Sequence, residues 1–281
     1  MQLNGKTFAL NGKTFVLTGA TGGIGAAMAK RLSAAGAKLV LLGRNRDRLE
    51  KLQNEIGAQR HSFVVGDLTD VTVRHALVEH CRALPASIDG VINNAGSSVF
   101  APINATGADE LQSLLTINLL VPMLVTRDLL PLLHDRCKDG REHAAIVNVG
   151  STFGSIGYPG FSGYCASKFG LRGFTEALRR ELADSNIRVH YLAPRATHTG
   201  LNSPTVDALN AALGNAVDDP SIVADALVAL IENGGSARYI GWPEKLFVRV
   251  NQILPGIVDN ALKKQLGVIR SFFPHKKSER I

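Results

Sequence analysis

Cysteine is scarce in this sequence: Cys81, Cys137 and Cys165 are the only three in 281 residues, and they stand far apart in no CxxC or Cys/His pattern. A disulfide framework is therefore excluded as the organising device, no metal site is expected, and a reducing cytoplasm fits best. Aromatic residues are also few, at 6%, with a single tryptophan. A nucleic-acid-binding surface interleaves aromatics with basic residues or carries a recognisable motif; neither is visible, so no nucleic-acid partner is expected. Long apolar runs are missing too. Nothing approaches the roughly 18 consecutive apolar residues of a bilayer span, and MQLNGKTFAL at the N-terminus lacks the uninterrupted apolar core of a secretory signal.

What is present is an ordinary globular composition, 45% hydrophobic and 20% charged, sufficient to fill a large core. The net charge of +7 is unevenly placed. Residues 1–240 hold 23 Lys/Arg against 21 Asp/Glu, whereas residues 241–281 hold 8 against 3, so the body is near neutral and the tail basic.

Short apolar runs alternate with helix-length stretches. Runs at Thr14 to Leu17, Lys38 to Leu42, Ser62 to Val65, Gly90 to Ile92, Ala145 to Val149, Arg188 to Leu192 and Arg238 to Ile240 read as strands. Between the first two, Ala26 to Ala35 reads as a helix ended by Gly36. Nearly continuous apolar strands joined by helices predict an α/β fold: a doubly wound parallel sheet of about seven strands, covered on both faces. One domain is expected over residues 1–240, with a helical extension over 241–281. The hexapeptide LNGKTF at Leu3 to Phe8 returns at Leu10 to Phe15. Only the second copy abuts the glycine turn, so the first strand is assigned to it and the first copy to an edge extension or a loose terminus.

In such sheets ligands bind beyond the carboxyl ends of the strands. Thr18-Gly19-Ala20-Thr21-Gly22-Gly23-Ile24-Gly25 lies between the first strand and helix. Its glycines let backbone approach a pyrophosphate, and the helix start aims free N–H groups at it; the alternative is a tight structural turn. After the second strand comes Gly43-Arg44-Asn45, with no carboxylate for a ribose 2′-hydroxyl. Arg44 there can meet a 2′-phosphate, which favours NADP(H) over NAD(H), unless it is simply a solvent-facing arginine. Arg46 and Arg48 read as surface residues.

Tyr164 and Lys168, four apart, share a helix face. A tyrosine titrates near about 10, so acid–base work near neutrality asks for a partner such as an ammonium. A Tyr-x-x-x-Lys pair is common by chance. Ser151, thirteen residues upstream and just past an apolar strand, raises its meaning.

The set Thr18-Gly19-x-x-x-Gly23-x-Gly25, Asn93-Asn94-Ala95-Gly96, Asn118, Ser151, Tyr164-x-x-x-Lys168 and Pro194 with Thr199 resembles, in order and spacing, the short-chain dehydrogenase/reductase family over roughly residues 12 to 240. The resemblance implies a Rossmann-type oxidoreductase, usually a homodimer or homotetramer. It gives Tyr164 the proton exchange with the substrate oxygen and Ser151 a hydrogen bond to the substrate carbonyl. Lys168 is to lower the Tyr164 pKa and bind the nicotinamide ribose, and Asn118 to hold a water linking Lys168 to solvent. Gly19, Thr21, Gly23, Ile24 and Gly25 are to face the cofactor phosphates. Asn94, Ala95 and Gly96 are to lie along the adenosine side, Asp67 with Leu68 to meet the adenine, and Pro194, Thr197 and Thr199 to flank the nicotinamide. Two departures stand out: Pro194-Arg195 replaces the common Pro-Gly, and the basic residue frequent inside the glycine turn of NADP(H) users is absent.

Substrate contacts are expected from Val99 and Phe100, from Phe153 to Tyr158 and from His198 to Asn215, with Phe153, Tyr158 and His198 as the leading candidates. Their mostly apolar character predicts a hydrophobic ketone, aldehyde or alcohol. A cofactor-binding sensor or scaffold with the same fold is the competing function. In the tail, Leu246, Val250, Ile253, Leu254, Ile257, Val258, Leu262, Leu266 and Ile269 recur at helical spacing opposite Lys245, Arg249, Asp259, Lys263 and Arg270, broken at Pro255. This amphipathic extension either packs over the substrate entrance or a subunit boundary, or rests through residues 245–273 on an anionic membrane.

Overall fold

A computed structural model describes residues 8–140 and 143–274. Except for Phe8, the first LNGKTF copy lies outside the described residues; Phe8 itself is buried and its N–H bonds the Glu232 carbonyl.

Seven strands, β1 (Thr14–Thr18), β2 (Lys38–Gly43), β3 (Ser62–Val65), β4 (Gly90–Asn93), β5 (Ala144–Val149), β6 (Ile187–Ala193) and β7 (Ala237–Tyr239), form one sheet in the order β3-β2-β1-β4-β5-β6-β7. Every pairing is parallel, as the near-continuous apolar runs predicted. Side chains alternate between two cores. Phe15, Leu17, Leu39, Leu41, Ile92 and Val147 point into one, and Val16, Val40, Leu42, Val91 and Ile146 into the other. The first core is closed by α1 (Gly23–Ala34), α2 (Arg46–Ile56) and α8 (Pro220–Asn233), the second by α3 (Val71–Arg82) and α5 (Val121–Cys137) with part of α6 (Ser162–Glu181). Both faces of each central strand are thus out of water, which is why hydrophobicity runs continuously along them instead of alternating.

The sequence order reverses between β1 and β4, so the loops after these strands diverge and leave a crevice at their carboxyl ends. Beneath it Asn93 Nδ2 donates to Asn148 Oδ1 (2.8 Å) and Thr126 Oγ1 (3.0 Å), and Asn148 Nδ2 donates to Thr175 Oγ1 (2.9 Å). This buried polar ladder ties β4 to β5 and to the flanking helices.

Helix α4 (Ala108–Leu115), a π turn (Thr116–Leu120) and α5 run as one 30-residue helix, Ala108–Cys137. Against the expectation from uninterrupted runs, this helix is long and apolar enough to cross a membrane by length and composition, with a mean hydropathy of 1.4 in its most apolar window. Val121, Val125, Leu129 and Leu133 supply that apolarity by packing under the sheet. Beyond β7 the chain forms α9 (Glu244–Ile253) and, after a break at Leu254, α10 (Pro255–Ser271), with proline at the first helical position as its missing N–H favours. The boundary expected at residue 240 falls between β7 and α9. Helix α10 leans on α7 (Pro204–Ala212).

Strand β6 carries His190, 2% exposed. Its Nδ1 donates to the Gly235 carbonyl (2.6 Å), while Nε2 is buried with no partner among the described residues. Charging the ring would bury a second N–H without an acceptor, and burial pushes its pKa from 6.5 down to about 4. The unfolded chain thus binds the extra proton more readily. The stabilisation is complete above about 6.5 and is lost as pH falls toward 4, by up to about 3 kcal/mol. Thermal midpoints measured across that window should fall with pH, and a His190→Gln variant, which keeps a donor for Gly235, should fall less; equal slopes would assign the effect elsewhere.

Candidate active site

One cleft of about 1170 Å³ follows the carboxyl edge of the sheet. Thr18, at the end of β1, accepts the backbone N–H groups of Asn94 (2.9 Å) and Ala95 (3.0 Å) on its hydroxyl, and Asn94 Nδ2 donates to the Thr18 and Gly19 carbonyls, both at 3.1 Å. The loop after β4 is thereby locked onto the glycine turn. Gly19 has φ +63°, and a Cβ on it would sit 2.8 Å from Ala95 Cα; a Cβ on Gly25 would collide with the Gly19 carbonyl. Neither Gly19 nor Gly25 consequently admits a side chain. Helix α1 starts here with Gly22 as an uncapped N-cap and no acidic residue in its first turn, so its orphan N–H groups are left for an external acceptor. Gly19, Thr21, Gly23, Ile24 and Gly25 all line the cleft, as do Asn94, Ala95 and Gly96. A glycine cradle against an uncapped helix N-terminus fits a pyrophosphate.

At the end of the cleft beyond β2 and β3 stand Arg44, Asp67 and Leu68. Arg44 Nη1 lies 3.9 Å from Asp67 Oδ2, with its side chain 81% exposed, an ion pair of little energetic weight. Asp67 Oδ1 accepts from the Thr69 N–H (2.9 Å) and hydroxyl (2.8 Å), and chiefly the Thr69 N–H holds its pKa below the usual carboxylate range. Arg48, read from sequence as a surface residue, is exposed and also lines the cleft, because the first turn of α2 brings it round to the side of Arg44. Asn45 cannot serve there: its side chain caps α2 through the Arg48 N–H at 2.9 Å.

Ser151 follows β5 in extended conformation and caps a one-turn helix, its Oγ accepting from the Phe153 N–H (3.1 Å). Below it lies Tyr191, 1% exposed, whose Oη sits 3.4 Å from the Ser151 N and 3.3 Å from the Ser151 carbonyl oxygen. A Cβ on Gly150 or Gly154 would overlap the Tyr191 side chain. The phenol therefore sets the height of the Ser151 loop, and nothing in the sequence around residue 191 advertised it.

Tyr164 and Lys168 sit in the first two turns of α6, and Lys168 Nζ lies 5.8 Å from the Tyr164 ring centroid. Lys168 is 6% exposed and donates to the Val149 carbonyl at 3.0 Å. Burial pulls its pKa from 10.5 to about 8 and pushes the Tyr164 phenol up to about 12, opposed by a hydrogen bond with Ser151. The sequence reading had Lys168 lowering the tyrosine. In the free protein desolvation acts against such a lowering and raises the phenol.

Asn118 lies in the π turn, fully buried and just outside the cleft. It accepts from the Ser97 N–H (2.8 Å) and donates to the Ser97 carbonyl (2.9 Å) and Ser167 Oγ (3.1 Å). Its side-chain amide is thus committed to joining the β4 loop to α6. A π turn lets Asn118 leave the regular helical register to do so.

Pro194, Thr197 and Thr199 line the cleft after β6. Thr197 pairs with Asp218 in a parallel bridge, and the His198 N–H bonds the Asp218 carbonyl (2.9 Å). Alternation along this extended segment buries Thr197 and leaves His198 exposed, outside the cleft lining, so the structure does not bring His198 to the substrate. Val99 and Phe100 are likewise absent from the lining: Phe100 packs instead, tilted, against Phe161 (5.0 Å) and Phe273 (5.5 Å). Phe153 and Tyr158 do line it, stacked at 4.8 Å, together with Phe161, Leu201, Val206 and Leu209. Tyr158 Oη is buried and turned toward the Asn215 side chain.

Arg195, in place of the glycine common in the resembled family, lines the cleft and grips Asp218 with two bonds (2.7 and 3.0 Å). It also bonds Glu244 (3.1 Å) and the Trp242 carbonyl (3.2 Å), so the loop after β6 is clamped to the start of α9.

A glycine cradle at the switch point of a parallel sheet, with a tyrosine, a buried lysine and a serine converging at one end, defines the class of nicotinamide-dependent oxidoreductases. A family model described as short chain dehydrogenase matches residues 13–210. The ketoacyl reductase HetN of Nostoc is 32% identical over 267 residues, 92% of this chain and 89% of that protein. A mouse protein, dehydrogenase/reductase SDR family member 7B, is 38% identical over 195 residues; the match covers 67% of this chain and 58% of the mouse protein. The crystal structure of 3-ketoacyl-(acyl-carrier-protein) reductase from Brucella melitensis complexed with NADH aligns with a TM-score of 0.78 at 28% identity, covering 84% of this chain and 99% of that one. The chain belongs to the short-chain dehydrogenase family. It is accordingly a hydride-transferring oxidoreductase that uses a nicotinamide cofactor.

Proposed function

We propose that this protein reduces the carbonyl group of a lipophilic small molecule, or oxidises the corresponding alcohol, with NADP(H). The observation that supports this most directly is the placement of Tyr164, Lys168 and Ser151 together at the apolar end of the cleft whose other end carries Arg44 and Arg48. When bound, the nicotinamide supplies or accepts the hydride. Ser151 Oγ orients the substrate oxygen by a hydrogen bond. Tyr164, neutral because burial holds its pKa near about 12, donates its proton to that oxygen as negative charge develops on carbon reduction. Lys168 stands behind the phenol, anchored on Val149, and offers its remaining N–H donors to the cofactor ribose and the tyrosine. Asn118 keeps Ser97 and Ser167 in register beside this lysine. Thr197 and Thr199, which line the cleft after β6, would flank the nicotinamide.

NADP(H) is favoured by the absent carboxylate after β2 and by two arginines able to grip a 2′-phosphate. Phe153, Tyr158, Phe161 and Leu209 make the substrate wall apolar. Dimers or tetramers belong to the same proposal. Consumption of NADPH should be followed against a panel of lipophilic ketones, aldehydes, polar sugars and a 3-ketoacyl compound, the last because two relatives carry that name. Lipophilic carbonyls should turn over at least tenfold faster than sugars; the reverse ranking would sink the substrate class.

A further inference from the structure

Helix α9 is built inside out. A surface helix normally turns its apolar stripe to the core and its polar residues to water. Here polar residues face the body: Glu244 bonds Arg195 at 3.1 Å, and Asn251 Nδ2 donates to the Ser155 carbonyl at 2.9 Å, with Val248 the one buried apolar side chain of the helix. The apolar stripe faces out. Leu246 is 45% exposed, Phe247 41%, Ile253 76% and Leu254 56%, and the row continues to Ile257 at 53% in α10 and back to Trp242 at 69%. Residues 246, 250 and 253 recur at helical spacing along α9, with Phe247 beside them and Leu254 and Ile257 following at the break, so the exposure is concentrated in one stretch and not scattered.

The charge beside that face has one sign. Lys245 and Arg249, both exposed and one turn apart, border the stripe on a single side, and Lys263 and Lys264 are exposed on α10. Glu244 is turned inward onto Arg195, which leaves Asp259 as the only exposed acid of α9 and α10. We propose that the stripe from Trp242 to Ile257 docks on an anionic lipid bilayer. The aromatic and aliphatic side chains enter the headgroup boundary, and Lys245 and Arg249 meet lipid phosphates. An antiparallel two-fold contact between copies across α9 would set Lys245 and Arg249 against their own equivalents, which disfavours that pairing. The lipid surface supplies the opposite charge.

Trp242 is the sole tryptophan and sits in the stripe, so its emission reports docking directly. Full-length protein should be titrated with vesicles of phosphatidylcholine alone and with phosphatidylglycerol added. The expected result is a blue shift of Trp242 emission and co-flotation with the anionic vesicles only, weakened by high salt. A Leu246→Ser/Ile253→Ser variant should lose at least about tenfold in vesicle affinity, and Lys245→Gln/Arg249→Gln should lose preference for the anionic lipid. Both pairs are solvent-exposed, and an unchanged melting curve will show that the variants fold. No shift or flotation with anionic vesicles, or equal binding by the serine variant, would overturn the proposal. So would a dimer in lipid-free buffer that the same serine variant dissociates, since the stripe would then be a subunit contact. None of these readouts depends on catalytic turnover.

Discussion

Exchange of Tyr164 for phenylalanine is expected to lower kcat by a factor of about 10² to 10⁴ while leaving affinity for NADPH nearly unchanged. The ring stays in place among Phe153 and Phe161, at centroid distances of 6.3 and 6.1 Å, so the cleft wall keeps its shape and only the hydroxyl is lost. Without that hydroxyl the substrate oxygen has Ser151 as a hydrogen-bond partner but no proton donor held in position. The proton would then come from water, which lacks a fixed position in the cleft. Binding followed by protein fluorescence and turnover followed by nicotinamide absorbance separate the two effects. A variant that retains wild-type kcat would remove Tyr164 from the chemistry. A wild-type protein that binds NADPH tightly yet turns over no member of the carbonyl panel would favour the sensor or scaffold reading instead.

Removing both arginines at the adenosine end, Arg44→Ala with Arg48→Ala, should weaken NADPH by at least about 100-fold and NADH only a few-fold. Each charge-assisted contact to the 2′-phosphate is worth about 1.5–3 kcal/mol, and one such contact alone corresponds to roughly 10- to 150-fold. The rest of the cradle is untouched, because the pyrophosphate and nicotinamide sides rest on other loops. Both arginines are exposed, so the wild-type preference should shrink as salt is raised. Equal losses for the two cofactors would place Arg44 and Arg48 on the shared adenosine moiety and remove the basis for preferring NADP(H).

The strands and the glycine turn were legible because their causes are local. Seven apolar runs of the right length, each bounded by polar or glycine residues, have few ways to bury both faces other than in a parallel sheet under helices. The glycine turn likewise follows from neighbours: Gly19 needs its positive φ, and Gly25 needs to lie against the Gly19 carbonyl, within seven residues of chain. The Tyr164–Lys168 pair is legible from helical spacing only together with Ser151 upstream and the motif set that resembles a known family. What could not be read was the electrostatic balance between them, since desolvation depends on everything packed around α6, and it drives the phenol up and not down.

The contacts that escaped the sequence reading are long in range or depend on phase. Tyr191 supports Ser151 from 40 residues away, and Arg195 reaches Asp218 and Glu244 across 23 and 49 residues. His198 and Phe100 were assigned to the substrate from their position in a segment. Whether a side chain in an extended loop points inward is decided by its alternation, which is set here by the pairing of Thr197 with Asp218.

Amino-acid order by itself determined the parallel sheet, the glycine turn and the Tyr164–Lys168 spacing, because each arises from residues close in the chain acting through backbone geometry and side-chain period. Tertiary structure alone decided which way the amphipathic tail faces. The periodicity of α9 marks an apolar side but carries no direction, and the outward turn comes from Glu244 and Asn251 finding partners on distant loops whose positions only the folded chain creates.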